Sequence, residues 1–254
     1  MDLGSKRPEQ GNDGARLATH GVTSEETRRV LHWAYLGRVP YARALELQRD
    51  SRELLREGRA GERLILLQHP HTYTLGRSAD RSEIVATIEW LRAHGVTIAE
   101  ADRGGQVTYH GPGQLVGYPI IDLDPDRRDI RRYMHDLQAV LVRTLAVFGL
   151  AAEARYEQPE IGVWCEGHKI ASLGVHVSRW ITTHGFALNV ATDLSYFSGI
   201  VPCGMPRVEM ASIESLAGSA PEIEEVATVC AGCFCEVFDR QPQPLDPEDL
   251  ISAK

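Results

Sequence analysis

Three stretches of the sequence hold residue types that could carry out a reaction. In Gly199-Ile-Val-Pro-Cys-Gly-Met-Pro206, Cys203 stands between Pro202 and Gly204. Prolines at 202 and 206 break regular elements, which favours a thiol presented from a stiff loop over one packed in a core. Such a thiol can act as a nucleophile that carries an acyl group as a thioester. Gly204 leaves room for its N–H to face an acyl oxygen, as an oxyanion donor must. The ordinary reading of a free cysteine, a small buried residue, stands beside this one.

In His168-Lys-Ile-Ala-Ser-Leu-Gly-Val-His-Val177, period-two alternation puts Lys169 on one strand face with Ala171, Leu173, Val175 and Val177. If that face is inside, the amine is held against apolar groups and can serve as a proton acceptor. Read alone, a lysine beside Gly167 at a strand's start is better taken as solvated. The third stretch, Arg103-Gly-Gly-Gln-Val-Thr-Tyr-His-Gly-Pro-Gly-Gln114, has four glycines in twelve residues. Glycines at that density let a backbone approach a ligand and aim N–H groups at it, although a surface loop is the plain alternative. No Lys-Ser/Thr ending follows, so a phosphate-binding Walker loop is a poor match.

Other reactive types fit structural roles. Cys230 and Cys233 share a helical face with Ile223 and Val226, and Cys165 adjoins Trp164 on a strand. His69 and His71 have the spacing of a strand-borne metal pair, but no third ligand follows at a recognisable spacing, so no metal is expected. His110 and His184 each adjoin glycine, where an orienting hydrogen bond or a purely structural role is possible.

Positioning these residues requires a sheet. Leu31, Trp33 and Tyr35 alternate as on a half-buried strand, and Tyr41, Ala44, Leu45, Gln48 and Leu55 predict a helix after Pro40. Leu64 to Leu67 suits a strand buried on both faces, and Gln114 to Ile121 reads as another. Ile130, Tyr133, Met134, Leu137, Leu141, Leu145 and Phe148 predict a helix that Gly149 ends. Glu166-Gly167 and Ser178 to Trp180 read as turns between strands. Ser219-Ala-Pro-Glu222 has the pattern of a capping box before a last helix. The mixture without regular βαβ alternation predicts an α/β (α+β) fold, one domain with a mixed β-sheet flanked by helices. That domain is expected over 24–240, with a polar tail at 1–23 and a proline-broken tail at 241–254.

Lys plus Arg number 27 against 35 Asp plus Glu, a net charge of -8, which opposes binding to nucleic acid or anionic lipid. No apolar run is long enough to span a bilayer and the N-terminus has no signal-peptide core, so a cytoplasmic protein is expected. An odd count of 5 cysteines suits reduced thiols in that compartment.

Taken together, Arg103 to Gln114, Lys169-Ile-Ala-Ser-Leu-Gly174, His184-Gly-Phe-Ala-Leu-Asn189 and Pro202-Cys-Gly204 resemble the lipoyl(octanoyl) transferases, in that order, from about Trp33 to Leu216. The resemblance implies a fold like that of biotin and lipoate protein ligases, and an acyltransferase that needs no cofactor. Its donor would be octanoyl-acyl carrier protein. Its acceptors would be lysines on lipoyl domains of 2-oxoacid dehydrogenase complexes and the glycine cleavage H protein. On that pattern Cys203 is the acyl-thioester nucleophile and Lys169 its proton partner. The implied substrate-binding residues are Arg103, Gly104, Gly105, Gln106, Val107, Thr108, Tyr109 and His110, then Ser172, Leu173 and Gly174, then Gly185, Phe186 and Ala187. Acidic carriers would need a local basic patch on this acidic chain, and Arg127, Arg128, Arg131 and Arg132 are the candidates. An ATP-dependent lipoate or biotin protein ligase, and a non-catalytic acyl-binding or thiol-sensing protein, are the rival readings.

Overall fold

In the computed structural model, residues 28–205 and 207–252 are described; the expected N-terminal tail at 1–23 lies outside them. The chain opens with strand β1 (Arg29–Arg38), helix α1 (Tyr41–Arg56) and strand β2 (Glu62–Gln68). A small lobe follows: β3 (Thr72–Leu75), α2 (Ile88–Ala93), β4 (Thr97–Glu100) and β5 (Val107–His110). The chain then returns through β6 (Gln114–Ile120), α3 (Ile130–Val147), β7 (Ala152–Arg155), β8 (Gly162–Cys165), β9 (His168–Ser178) and β10 (Ile181–Asn189). It closes with α4 (Ile213–Ala217), α5 (Ile223–Phe238), β11 (Arg240–Pro244) and α6 (Pro247–Ser252).

The main sheet has eight strands in the order β11-β1-β2-β6-β10-β9-β8-β7. β1 is parallel to β2 and β11, while β2, β6, β10, β9, β8 and β7 pair antiparallel in turn. The expected mixed sheet is therefore present, and helices flank it. Tyr133, Leu137 and Leu141 of α3 and Val226, Phe234 and Phe238 of α5 pack against Leu64, Leu115 and Leu188. Ala44 and Leu47 of α1 and Leu250 of α6 pack with Ile65, Leu67 and Val116. A second sheet, β4-β3-β5, stands apart.

Three features depart from the sequence expectations. Residues 241–254 were expected as a tail, yet Gln241 to Pro244 extend β11 along β1, and Leu250 is buried. Pro242 and Pro244 sit on the outermost strand, where a missing N–H is tolerated, and Pro247 opens α6. The Ser219 to Glu222 pattern is not a capping box: Glu222 is itself the cap residue of α5 in an extended conformation, and its side chain makes no cap bond. A reciprocal box forms instead between Ser212 and Ser215 on α4. Among the arginines, Arg127 is buried, bonded to Asp136 and, at 2.7 Å, to the Val237 carbonyl, and lies over Phe238. Arg128 covers the Trp180 ring and Arg132 lies 3.8 Å from Asp136, but both are exposed, as is Arg131, so Arg127 alone departs from the expected surface patch.

Candidate active site

Two hairpins build the wall. Glu166 and Gly167, both at positive φ, turn β8 into β9, and Arg179 and Trp180, at φ 52° and 65°, turn β9 into β10. The register pairs Leu173 with Phe186, Gly174 with Gly185 and Ser172 with Ala187. Small residues leave a hollow there, which the glycine-rich segment covers. Gly104 N–H bonds the Val175 carbonyl at 2.9 Å, and Arg77 N–H bonds the Arg103 carbonyl at 3.0 Å. The Arg103 guanidinium fastens the segment from within, donating to the carbonyls of Gly104, Gln106 and Thr74 and to Thr74 Oγ1 at 2.7–3.0 Å. A side chain at Gly76 would stand 2.3 Å from the Gly105 carbonyl oxygen, so this approach requires glycine.

The cavity measures about 210 Å³. All the expected substrate residues line it except Val107 and Tyr109. On β5 the alternation sends Thr108 and His110 to the cavity, while Val107 and Tyr109 join Tyr73, Phe197 and Ile200 in the small-lobe core. Tyr41, Val116, Tyr118, Met134, Ile161, Val175 and His184 also line it and were not assigned from sequence. They come from six separate segments, and only the folded sheet brings them together.

The polar groups in and behind the wall are buried. His69 donates from Nδ1 to the Val39 carbonyl and accepts the Tyr118 hydroxyl at Nε2, both at 2.7 Å, so the suspected metal pair is committed elsewhere. Burial pushes His69 down to about 4, partly offset by the Val39 carbonyl. Burial likewise holds His110 well below the ordinary histidine value, and raises Tyr41 to about 12. His184, at φ 56°, lies 2.6 Å from Asp102; burial lowers it, and the Asp102 bond offsets that in part.

Lys169 is 1% exposed, so the solvated reading fails. Its Nζ donates to the Ile161 carbonyl at 2.9 Å and lies 5.9 Å from the centre of the Trp164 ring. A side chain at Gly162 would come within 2.6 Å of Lys169 Cε, which explains a glycine where the lysine passes. The Lys169 backbone is gripped by residues far along the chain: its N–H bonds the Glu209 carbonyl and its carbonyl accepts the Ala211 N–H, both at 2.9 Å. Asn189 bridges Gln114 Nε2 to the Ala211 carbonyl, and Gln114 Oε1 accepts His110 Nδ1, so one buried network joins the cavity wall to this grip.

Cys203 lies in the short 3₁₀ turn Pro202–Gly204, just before the segment that grips Lys169; the role expected of its thiol concerns a side chain outside those described. Gly204 abuts the cavity residue Gln106, and a side chain there would stand 2.2 Å from Gln106 Oε1. The Gly204 N–H points at the Val201 carbonyl at 3.4 Å, so it closes the turn instead of facing an acyl oxygen as expected. The other cysteines are buried, and burial raises Cys230 to about 12 and Cys235 to about 11.

The lipoyl protein ligase A/B catalytic domain family matches residues 40–235. The chain is 44% identical to an octanoyltransferase of Solibacter usitatus, over 82% of this chain and 93% of that protein. It is 47% identical to an octanoyltransferase of Myxococcus xanthus, over 86% of this chain, and spans 64% of that longer protein. In three dimensions it is similar to a bi-partite lipoate protein ligase of Thermoplasma acidophilum, with a TM-score of 0.66 and 19% identity, covering 88% of this chain and 90% of that one.

Proposed function

Because the chain belongs to the lipoyl protein ligase A/B catalytic domain family, we propose that it transfers an octanoyl group from acyl carrier protein, through a Cys203 thioester, to the ε-amine of a lysine on lipoyl domains. The observation that carries this reading is the buried Lys169, held by the segment that follows Cys203 and bonded to the Ile161 carbonyl at the cavity wall. Cys203 attacks the carrier thioester; its new S–C bond replaces the carrier's, and Lys169 gives a proton to the departing thiolate. The acyl chain lies in the cavity among Leu173, Phe186, Ala187 and Val116. The acceptor amine then attacks, Lys169 takes its proton, and an amide replaces the thioester. The donor arrives activated, so ATP has no part. Among the described residues no helix is long and apolar enough to cross a membrane, which is compatible with work in the cytoplasm.

The fold is shared with ligases that activate a free acid, so the decisive experiment compares the two donors. With octanoyl carrier protein and no nucleotide, intact mass should show one octanoyl adduct on the wild type, none on Cys203→Ala, and transfer to an added lipoyl domain. Transfer that requires ATP and free octanoate, or an undiminished rate in Cys203→Ala, would overturn the proposal.

A further inference from the structure

Helix α3 turns an apolar face to the sheet, and only two polar residues, Gln138 and Thr144, are buried on it among Tyr133, Leu137, Val140, Leu141 and Leu145. Thr144 satisfies its hydroxyl within the helix, at the Val140 carbonyl 2.8 Å away. Gln138, 1% exposed, reaches out of the helix instead. Its Nε2 donates to the Arg155 carbonyl at 2.7 Å and to the Gly162 carbonyl at 3.0 Å. A buried amide costs free energy unless such bonds offset its lost hydration, so these two bonds account for a glutamine in this core.

Arg155 and Gly162 are register partners, the last pair of β7 and β8 before the connecting loop. One side-chain amide therefore pins both stems of loop 156–161. That loop gives Gln158, Pro159 and Ile161 to the cavity wall, and its last carbonyl, that of Ile161, accepts Lys169 Nζ at 2.9 Å. The carbonyls taken by Gln138 and by Lys169 thus belong to consecutive residues. Space beside them is tight: a Cβ on Gly162 would stand 2.6 Å from Lys169 Cε and 2.7 Å from the Ala171 carbonyl oxygen. One turn before Gln138, on the same face of α3, Met134 lines the cavity. We infer that Gln138 is a positioning residue for the transfer reaction proposed above, on which this inference rests. By holding both stems of the loop it sets where the Ile161 carbonyl stands, and through that bond where Lys169 Nζ stands. It touches no reacting atom. Its effect is to tie the amine's position to the helix that also borders the acyl chain.

The test uses Gln138→Met, which keeps the side chain's length and removes its donors, beside Leu141→Ala, a core truncation on the same helix that costs stability without touching the loop. Each is measured where it remains folded, by urea midpoint, by the pH profile of Cys203 alkylation followed by peptide mass, and by single-turnover formation of the octanoyl-enzyme. In Gln138→Met the alkylation profile should move to higher pH, by part of the shift that Lys169→Met gives, and acyl-enzyme formation at neutral pH should slow at least about ten-fold. Leu141→Ala should lose stability with its profile unmoved. Gln138→Asn, which keeps the amide but shortens its reach, is read in the same way and covers the case of a methionine variant that does not fold. A profile that superimposes on the wild type's, or a shift that Leu141→Ala reproduces, confines Gln138 to folding and overturns the inference alone. An unmoved profile in Lys169→Met, or a wild type that never acquires the octanoyl group, overturns the proposed chemistry and this inference with it.

Discussion

Lys169 Nζ and the Ile161 carbonyl oxygen lie 2.9 Å apart, one on strand β9 and the other on the loop that borders the cavity. In the proposed mechanism this bond keeps the amine beside the cavity, where it would give up a proton in one half-reaction and take one up in the other.

A cation at that point should favour the thiolate form of a neighbouring cysteine. Lys169→Met keeps the length of the side chain and removes the charge. The pH profile for alkylation of Cys203 should then move towards that of an ordinary thiol, about 8.5. Acyl-enzyme formation at neutral pH should slow by at least about ten-fold, with partial recovery in alkali. Superimposable alkylation profiles would rule out the pairing even if Cys203 remained the nucleophile.

Ala187 sets the room available to the acyl chain, because it lines the cavity beside Ser172, its partner across the strands. Ala187→Leu adds three carbons to a cavity of about 210 Å³ and should exclude the last methylenes of an octanoyl chain. Each lost methylene contact alters discrimination by roughly 1–3 kcal/mol, so octanoyl transfer should fall at least about ten-fold while butanoyl transfer falls far less. Equal losses for both chain lengths would show that the cavity does not measure the chain.

Much of this arrangement was legible in the sequence, for a local reason. The antiparallel hairpins announce themselves through Glu166-Gly167 and the alternation on β9, and the four motifs name most of the cavity wall. The burial of Lys169 was not legible, because Trp164 and the Glu209 to Ala211 segment that enclose it act across the fold. The register shift between β8 and β9 at Val163 and Trp164 adds an irregularity that period-two reasoning does not see. Val107 and Tyr109 were over-assigned because a motif is continuous in sequence, whereas a strand alternates its faces. The proline-rich end misled because Pro242 and Pro244 exclude a central strand but not an edge.

Asn189 ends β10 and bridges Gln114 to Ala211, whose own N–H holds the Lys169 carbonyl. Asn189→Ala leaves a buried amide and a buried carbonyl without their partner, a loss of about 1–3 kcal/mol. Denaturant unfolding should show that loss. Acyl-enzyme formation should slow as well, measured where the variant remains folded, because the grip on Lys169 loosens. Stability loss with an unaltered acylation rate would confine the network to folding.

The buried histidines make stability depend on pH in a definite direction. His69, His110 and His184 all titrate below the ordinary value, chiefly through burial, with His69 down to about 4. In the unfolded chain a histidine takes its proton near pH 6.5. Between that value and the folded ones the unfolded state holds more protons, so stability is complete above about pH 6.5 and declines as the pH falls through the window. His69 alone accounts for roughly 3 kcal/mol by about pH 4. Urea midpoints should therefore be level between pH 7 and 8 and drop clearly by pH 5. His69→Gln, although less stable at neutral pH, should show a shallower decline because one protonation site is gone. Midpoints that stay constant from pH 7.5 to 5 in the wild type would mean that these rings are accessible to protons in the folded state and that the polar wall of the cavity is not dry.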